Sequence, residues 1–350
     1  MAACSSLLFP LLLVLLTFSD SSVEVHGLGV GINYGQIANN LPSPTRVSHL
    51  LRSLNISRVK LYDADPNVLV AFSNTNVDFI IGLGNEYLQN MTDPIKAQTW
   101  VQQRVQPYLT RTRITCITVG NEVSVTTAHS LDILSVSFPP SAGAFRQDIG
   151  EYLHGILNFH AQVKSPFLIN AYPYFAYKDS PNEVPLDYVL FQPNQGTMDP
   201  FTNLKYDNML YAQVDAVYSA IKAIGHTDIE VRVSETGWPS KGDENEVGAT
   251  PENAGLYNGN LFKRVEQRQG TPAKPNVPID IYVFALFNEN LKTGPASERN
   301  YGLFYPDGTL VYNIGVQGYL PELIYSSATK NNGFLVCSLL ILAMTYLIFS

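Results

Sequence analysis

Apolar and polar residues follow two rhythms along this chain. Short runs that are apolar at nearly every position end in glycine or a polar residue, as buried strands of a parallel sheet do. They are VGINYG (Val30–Gly35), RVKLYD (Arg58–Asp63), VDFIIGLG (Val77–Gly84), ITCITVG (Ile114–Gly120), FLINAY (Phe167–Tyr172), IEVRVSE (Ile229–Glu235) and IDIYVFALF (Ile279–Phe287). Between most of them, apolar residues recur three and four apart, which predicts amphipathic helices. Ser43 with Pro44 opens one that carries Val47, Leu50, Leu51 and Leu54 on one face. Pro66 opens a short one, and Asp93 with Pro94 opens one that carries Trp100, Val101 and Val105. Further helices are expected up to Val163, from Met209 to Ile224 with Gly225 closing it, and after Thr250 with Pro251.

One junction breaks the alternation. In CITVGNEVSVTTAHSL (Cys116–Leu131) the strand that ends at Gly120 is followed almost at once by VSVTT (Val123–Thr127), which reads as another strand. Counting it, eight strands mostly alternate with helices, which predicts a (β/α)8 TIM barrel lacking the helix between strands four and five. A doubly wound open sheet is the runner-up, but GINYGQ lacks the G-x-G-x-x-G spacing of a phosphate loop. Parallel neighbours need a crossover of about a dozen residues. The fifth strand is therefore expected either to run antiparallel or to slide along a tight bulge. Sliding would leave a hole in the ring of helices and bare apolar barrel surface.

Both ends of the chain stand outside this pattern. LLFPLLLVLLTF (Leu7–Phe18) is short for a membrane span and reads as a secretory signal over residues 1–27, although no Lys or Arg precedes it. Val25 and Gly27 suit the cleavage positions, so the mature chain is expected to begin near Leu28; an N-terminal anchor helix is the alternative. At the other end Ser326, Ser327 and Ala328, a polar spacer and the apolar run Phe334–Phe349 have the layout of a glycolipid-anchor signal over residues 327–350. A plain transmembrane tail is the alternative there. Residues 28–326 are left for the barrel. The expected location is the outer face of the plasma membrane, in contact with the cell wall, as a monomer.

Composition narrows the partners. Net charge is −8 with a pI near 5.2, and no Lys/Arg cluster exists, which excludes nucleic acid. Of three cysteines only Cys116 lies between the two ends, so no disulfide framework is expected, and Cys116 reads as a small core residue. Asn55-Ile-Ser and Asn90-Met-Thr are glycosylation sequons.

In a parallel barrel the reacting groups stand at the C-terminal ends of strands. Tyr34, Tyr62, Asp63, Asn121, Glu122, Tyr172, Glu235 and Glu289 occupy such positions. Glu122 in VGNE and Glu235 in VSETGWPS end strands that are otherwise apolar. Two carboxyls facing each other across an aromatic-lined cleft are the minimum equipment for cleaving a glycosidic bond. One is held protonated to donate to the leaving oxygen, and the other stays ionised to attack the anomeric carbon or activate water. The competing explanation for a buried glutamate is a structural ion pair. The 20 tyrosines and 17 phenylalanines, clustered at strand ends in NAYPYFAY and LFNEN, favour a sugar-binding cleft, with Phe167 and Phe284 read as core. The six histidines form no ligand pattern and no G-x-S-x-G elbow occurs, so a metal site and a serine nucleophile are both weak alternatives.

GINYGQIANNLPSP, VKLYDADP, ITVGNEV, SFPPSAGAFR, NAYPYFAY, VSETGWPS and FALFNENLKTGPASERNYGLFYPDGT together resemble the plant glucan endo-1,3-β-glucosidases of glycoside hydrolase family 17. The resemblance runs from Leu28 to about Leu320. It implies a TIM barrel that hydrolyses internal 1,3-β-glucosyl bonds of callose-like glucans with retention, in the cell wall and in plant defence. It implies Glu122 as proton donor, Glu235 as nucleophile and Asn121 as a contact to the sugar 2-hydroxyl. Glu289, Lys292 and Glu298 are implied as a charged cluster supporting the donor, and Tyr34, Tyr172 and Phe175 as cleft residues. It implies no metal or organic cofactor, and the cysteine-rich carbohydrate-binding module of many relatives is not expected here, since its cysteines do not occur.

The chain departs from the family at one place. There, GNEV is followed by a further helix and a lead-in to a segment resembling SVTTAHSL, whereas here GNEV runs straight into SVTTAHSL. Retention needs carboxyls about 5–5.5 Å apart, so an impaired glucan-binding surface protein is the alternative reading, and transglycosylation a weaker third.

Overall fold

The computed structural model of the protein describes residues 30–122 and 127–314. The expected secretory signal, residues 123–126 and the expected anchor signal, with Ser326, Ser327 and Ala328, lie outside the described residues. Eight strands form the barrel: β1 (Gly31–Asn33), β2 (Arg58–Lys60), β3 (Asp78–Leu83), β4 (Arg113–Val119), β5 (Ala128–Ser130), β6 (Phe167–Asn170), β7 (Val231–Thr236) and β8 (Ile281–Val283). They pair in the order β4-β3-β2-β1-β8-β7-β6-β5, and every pair is parallel. Strands covered on both faces are apolar throughout. Ile32, Val59, Phe79, Ile81, Ile169, Val233 and Val283 are accordingly among the fully buried core residues.

Six helices follow or precede the strands outside the barrel: α1 (Pro44–Ser53), α2 (Pro66–Ala71), α3 (Pro94–Arg104), α4 (Gly150–Val163), α5 (Met209–Ala223) and α6 (Pro251–Glu266). Their starts obey the capping chemistry of the sequence. Asp65 accepts from the Asn67 amide, Asp93 from Ile95, Asn208 from Tyr211 and Thr250 from Asn253. Gly225, at φ +101°, lets the chain turn away after α5. Short helices at Pro173–Asp179 and Leu186–Val189 fill the long insertion after β6.

Among the described residues no helix separates β4 from β5, and the expected strand VSVTT lies, but for Thr127, outside them. Strand β5 begins at Ala128 and runs parallel to β6, with Ala128 opposite Leu168 and Ser130 opposite Asn170. The antiparallel outcome is thereby overturned. Residues 120–127, four of them outside the described residues, stand between the two strands, since a parallel return cannot be made in two or three residues. The Thr127 amide donates to the Val119 carbonyl (3.2 Å), and the Glu122 amide to the Ala128 carbonyl (2.9 Å). These bonds tie the mouth of the seam together, while the paired sheet itself ends at β4 on one side and β5 on the other.

Below the mouth the seam opens into a groove of about 740 Å³ where a covering helix would lie. Trp100 and Leu109 wall it on one side and Phe159 and Val163 on the other, above Cys116 and Ile117. Phe159 is 55% exposed and Leu109 53%, so these walls are bare. Cys116, expected in the core, is half-buried on the groove floor. The slide also buries His129, whose ring stacks on Phe167 at 4.6 Å and, among the described residues, finds no hydrogen-bond partner for either nitrogen.

Candidate active site

A cleft of about 480 Å³ opens at the C-terminal ends of the strands. Tyr34, Tyr62, Asn121, Glu122, Glu235 and Glu289 are among its lining residues. The groove at the seam is larger, but no carboxylate lines it. The cleft is therefore where proton transfer can be organised.

Glu235 comes from the end of β7, whose register slips against both neighbours between Val233 and Thr236. A bulge of this kind re-aims side chains, and here Ser234, Glu235 and Thr236 are all buried. Both carboxylate oxygens of Glu235 are held: Oε1 by Lys60 Nζ at 2.7 Å and Oε2 by the Tyr172 hydroxyl at 3.0 Å. Lys60 is itself buried, 4.8 Å from the centroid of the Tyr62 ring, and reaches Asn121 Oδ1 at 3.3 Å. Asn33 completes this floor, donating to the Tyr62 hydroxyl and to the Ser234 carbonyl. Burial, reinforced by the charge of Glu235, pushes the Tyr62 and Tyr172 phenols well above their usual range, so both remain hydrogen-bond donors.

Glu122 follows β4 through two left-handed residues, Gly120 at φ +72° and Glu122 itself at φ +54°. Its Oε1 accepts from Asn170 Nδ2 at 3.0 Å. Asn170 is locked in turn by Ser234, whose hydroxyl donates to Asn170 Oδ1 at 2.6 Å. One amide thus bridges the ends of β4 and β7. Although Glu122 opens onto the cleft, protein packed around its carboxyl raises its affinity for a proton, and the charge of Glu235 raises it further. Asn170 and Lys60 pull the other way.

Glu289 is buried beside this pair and accepts from the Ile37 amide at 2.8 Å. Burial raises its carboxyl above the usual range, against the pull of the Ile37 amide and Lys292. Gly35 is required for the approach, since a Cβ there would stand 2.4 Å from the Glu289 oxygens. Lys292 pairs with Glu298 at 3.1 Å and sits 4.3 Å from the centroid of the Phe284 ring. Phe284, read from sequence as core, is buried yet also lines the cleft. Tyr34 is buried at the cleft floor, its phenol pushed up to about 12 by burial. Phe175 is exposed at the rim and packs on Tyr172 at 5.4 Å between centroids. Among the expected residues, Glu122, Glu235, Asn121, Tyr172, Tyr34, Glu289 and Lys292 converge on one cleft or its hydrogen bonds, with Glu298 tied to Lys292.

Sequence reading missed Lys60, Asn170, Asn33 and Ser234. The signal for Lys60 was present as a lone cation inside an apolar strand; the amides carried none. The sequon residues Asn55 and Asn90 are both exposed. Among the described residues, no group of His, Cys, Asp and Glu side chains is placed to hold a metal ion.

The family profile described as "Glycosyl hydrolases family 17" matches residues 30–131 and 122–316, two segments that overlap at the seam. Glucan endo-1,3-beta-glucosidase 14 of Arabidopsis thaliana is 66% identical over 358 residues, covering 93% of this chain and 91% of the relative. Since 93% of 350 residues is about 326, some 32 aligned positions of that relative stand opposite gaps in this chain. Glucan endo-1,3-beta-glucosidase 11 of the same plant is 56% identical over 345 residues, covering 89% and 80%. Among solved structures, a beta-1,3-glucanase and allergen of Cryptomeria japonica pollen superposes with a TM-score of 0.78 at 36% identity, covering 81% of this chain and 98% of that one.

Proposed function

The chain belongs to glycosyl hydrolase family 17, and from that premise we propose that it cleaves internal 1,3-β-glucosidic bonds of 1,3-β-glucans with retention. One observation carries the reading furthest. The two glutamates stand in opposite electrostatic settings, joined through Asn170: Glu235 is ion-paired with Lys60, and Glu122 is pushed toward its protonated form. Such a division separates nucleophile from acid.

In the proposed cycle Glu122 protonates the glycosidic oxygen as Glu235 attacks the anomeric carbon. A glycosyl ester on Glu235 forms and the leaving chain departs. Glu122, now ionised, takes a proton from water, which attacks the ester and frees Glu235. Lys60 and Tyr172 orient the attacking carboxylate through one oxygen each. Phe175 offers a ring face to a pyranose ring, Tyr34 and Phe284 line the cleft beneath it, and Asn121 faces the cleft as a sugar contact. Glu289, Lys292 and Glu298 support the donor.

The purified mature protein is expected to release oligosaccharides from laminarin with the β-anomer formed first, as seen by proton NMR. Glu235→Gln is expected to abolish release. No release from the wild type would defeat the proposal. A glucan-binding protein without turnover is less well supported, because the cleft keeps both carboxyls and their partners.

From the ends of the sequence we also propose secretion and a glycolipid anchor at the cell surface. The exposure of Asn55 and Asn90 is compatible with glycosylation on that route. Release of the protein from plant membranes by a phosphatidylinositol-specific phospholipase C is the measurement, and retention in the membrane would refute the anchor.

A further inference from the structure

We propose that Asn85 is a positioning residue for Glu122, an inference that rests on the acid role proposed above. Strand β3 ends at Leu83, whose carbonyl receives the last ladder bond from Gly120. The β3 chain then turns into a 3-10 helix, Asn85–Thr92, and can pair no further. At that point the Asn85 side chain takes over as if it were backbone. Its Oδ1 accepts from the Asn121 amide at 2.8 Å, and its Nδ2 donates to the Asn121 carbonyl at 3.0 Å. An amide side chain carries one acceptor and donors at the spacing that closing both bonds requires.

The clamp matters because the turn it grips is strained. Asn121 lies between two residues in left-handed backbone, and Glu122 adopts φ +54°, a conformation unfavourable for a residue with a Cβ. On the other side the same turn is held by the Glu122 amide bond to Ala128, at the mouth of a seam that no helix among the described residues backs. Two bonds from Asn85 therefore hold the β3 side of a turn whose β5 side is held, among the described residues, by the Glu122–Ala128 and Thr127–Val119 bonds. Asn85 is exposed at the cleft and outside the core, so its replacement is expected to leave folding intact.

The test uses leaving-group chemistry. A dinitrophenolate departs without protonation, so a displaced acid slows cleavage of a natural glucan far more than cleavage of a 2,4-dinitrophenyl β-laminaribioside. For Asn85→Ala, kcat/KM on laminarin is expected to fall roughly a hundredfold, as about an ångström of misplacement does, and less than about threefold on the activated substrate. Equal losses on both substrates, or a raised KM with unchanged kcat, would overturn the proposal. If the wild type turned over neither substrate, the functional reading itself would fail. The clamp is then judged by hydrogen exchange: faster exchange of the Asn121 and Glu122 amides in the variant sustains it, and unchanged exchange refutes it.

Discussion

Lys60 Nζ stands 2.7 Å from Glu235 Oε1, with both side chains withdrawn from solvent at the centre of the barrel. Removing one member of such a pair strands the other, at a cost of about 3–5 kcal/mol. Lys60→Met is therefore expected to lose stability on that scale in chemical denaturation and to lose activity. Lys60→Met combined with Glu235→Gln is expected to regain much of the stability and none of the activity. Additive stability losses in the double variant would show that the two groups are not coupled.

The acid limb of the mechanism sets a pH dependence with a definite sign. Activity needs Glu122 protonated, so it is lost as pH rises through the raised value of that carboxyl. The charge of Glu298 helps to raise it and the Asn170 amide lowers it. In kcat/KM–pH profiles, Glu298→Gln should move the alkaline limb to lower pH and Asn170→Ala to higher pH. Movement of both limbs in the same direction would contradict the assignment.

His129 predicts acid sensitivity of the fold rather than of the chemistry. Burial, aided by His160, lowers its value to about 4. In the unfolded chain it is about 6.5, so the unfolded state takes up its proton first as pH falls. Stability is full above pH 6.5 and drains as pH falls toward 4, by about 3 kcal/mol for this residue. His129→Phe, which keeps a ring against Phe167, is expected to flatten most of that slope in urea titrations at pH 7 and pH 4. A residual slope is expected from His160, which burial shifts in the same direction.

The bare groove makes a prediction about covering it. Inserting, after Val123, an amphipathic helix with flanking turns, of about the length by which the 66% identical relative exceeds this chain in the aligned region, is expected to raise the melting temperature by about 5–10 °C, since each kcal/mol moves a large domain about 2–4 °C. It should also reduce binding of a hydrophobic dye, because Leu109, Phe159 and Val163 would leave solvent. Unchanged dye binding would mean that the groove is not the exposed apolar surface in solution.

Seven of the eight strands were legible because double burial writes a continuous apolar run, and most helix starts because Asp65, Asp93 and Thr250 cap as their side chains allow. The fifth strand was read as VSVTT, most of which lies outside the described residues; the pairing with β6 is made by the three residues Ala128–Ser130, too few to write an apolar run of their own. The two glutamates could be read from their positions after apolar strands. Lys60, Asn170 and Asn85 act through contacts made across strands, which no local pattern encodes. Their partners lie 175, 64 and 36 residues away in the chain.

A barrel normally escapes the hazard of edge strands by having no first or last strand. Here β4 and β5 are a first and a last, and below Val119 the far side of β4 has no ladder partner among the described residues. Backbone amides and carbonyls left in that state are a template on which another extended chain can add. The opening that spares this protein a helix thus also gives a fold built on closure the one liability closure removes, a place where molecules can zip together edge to edge.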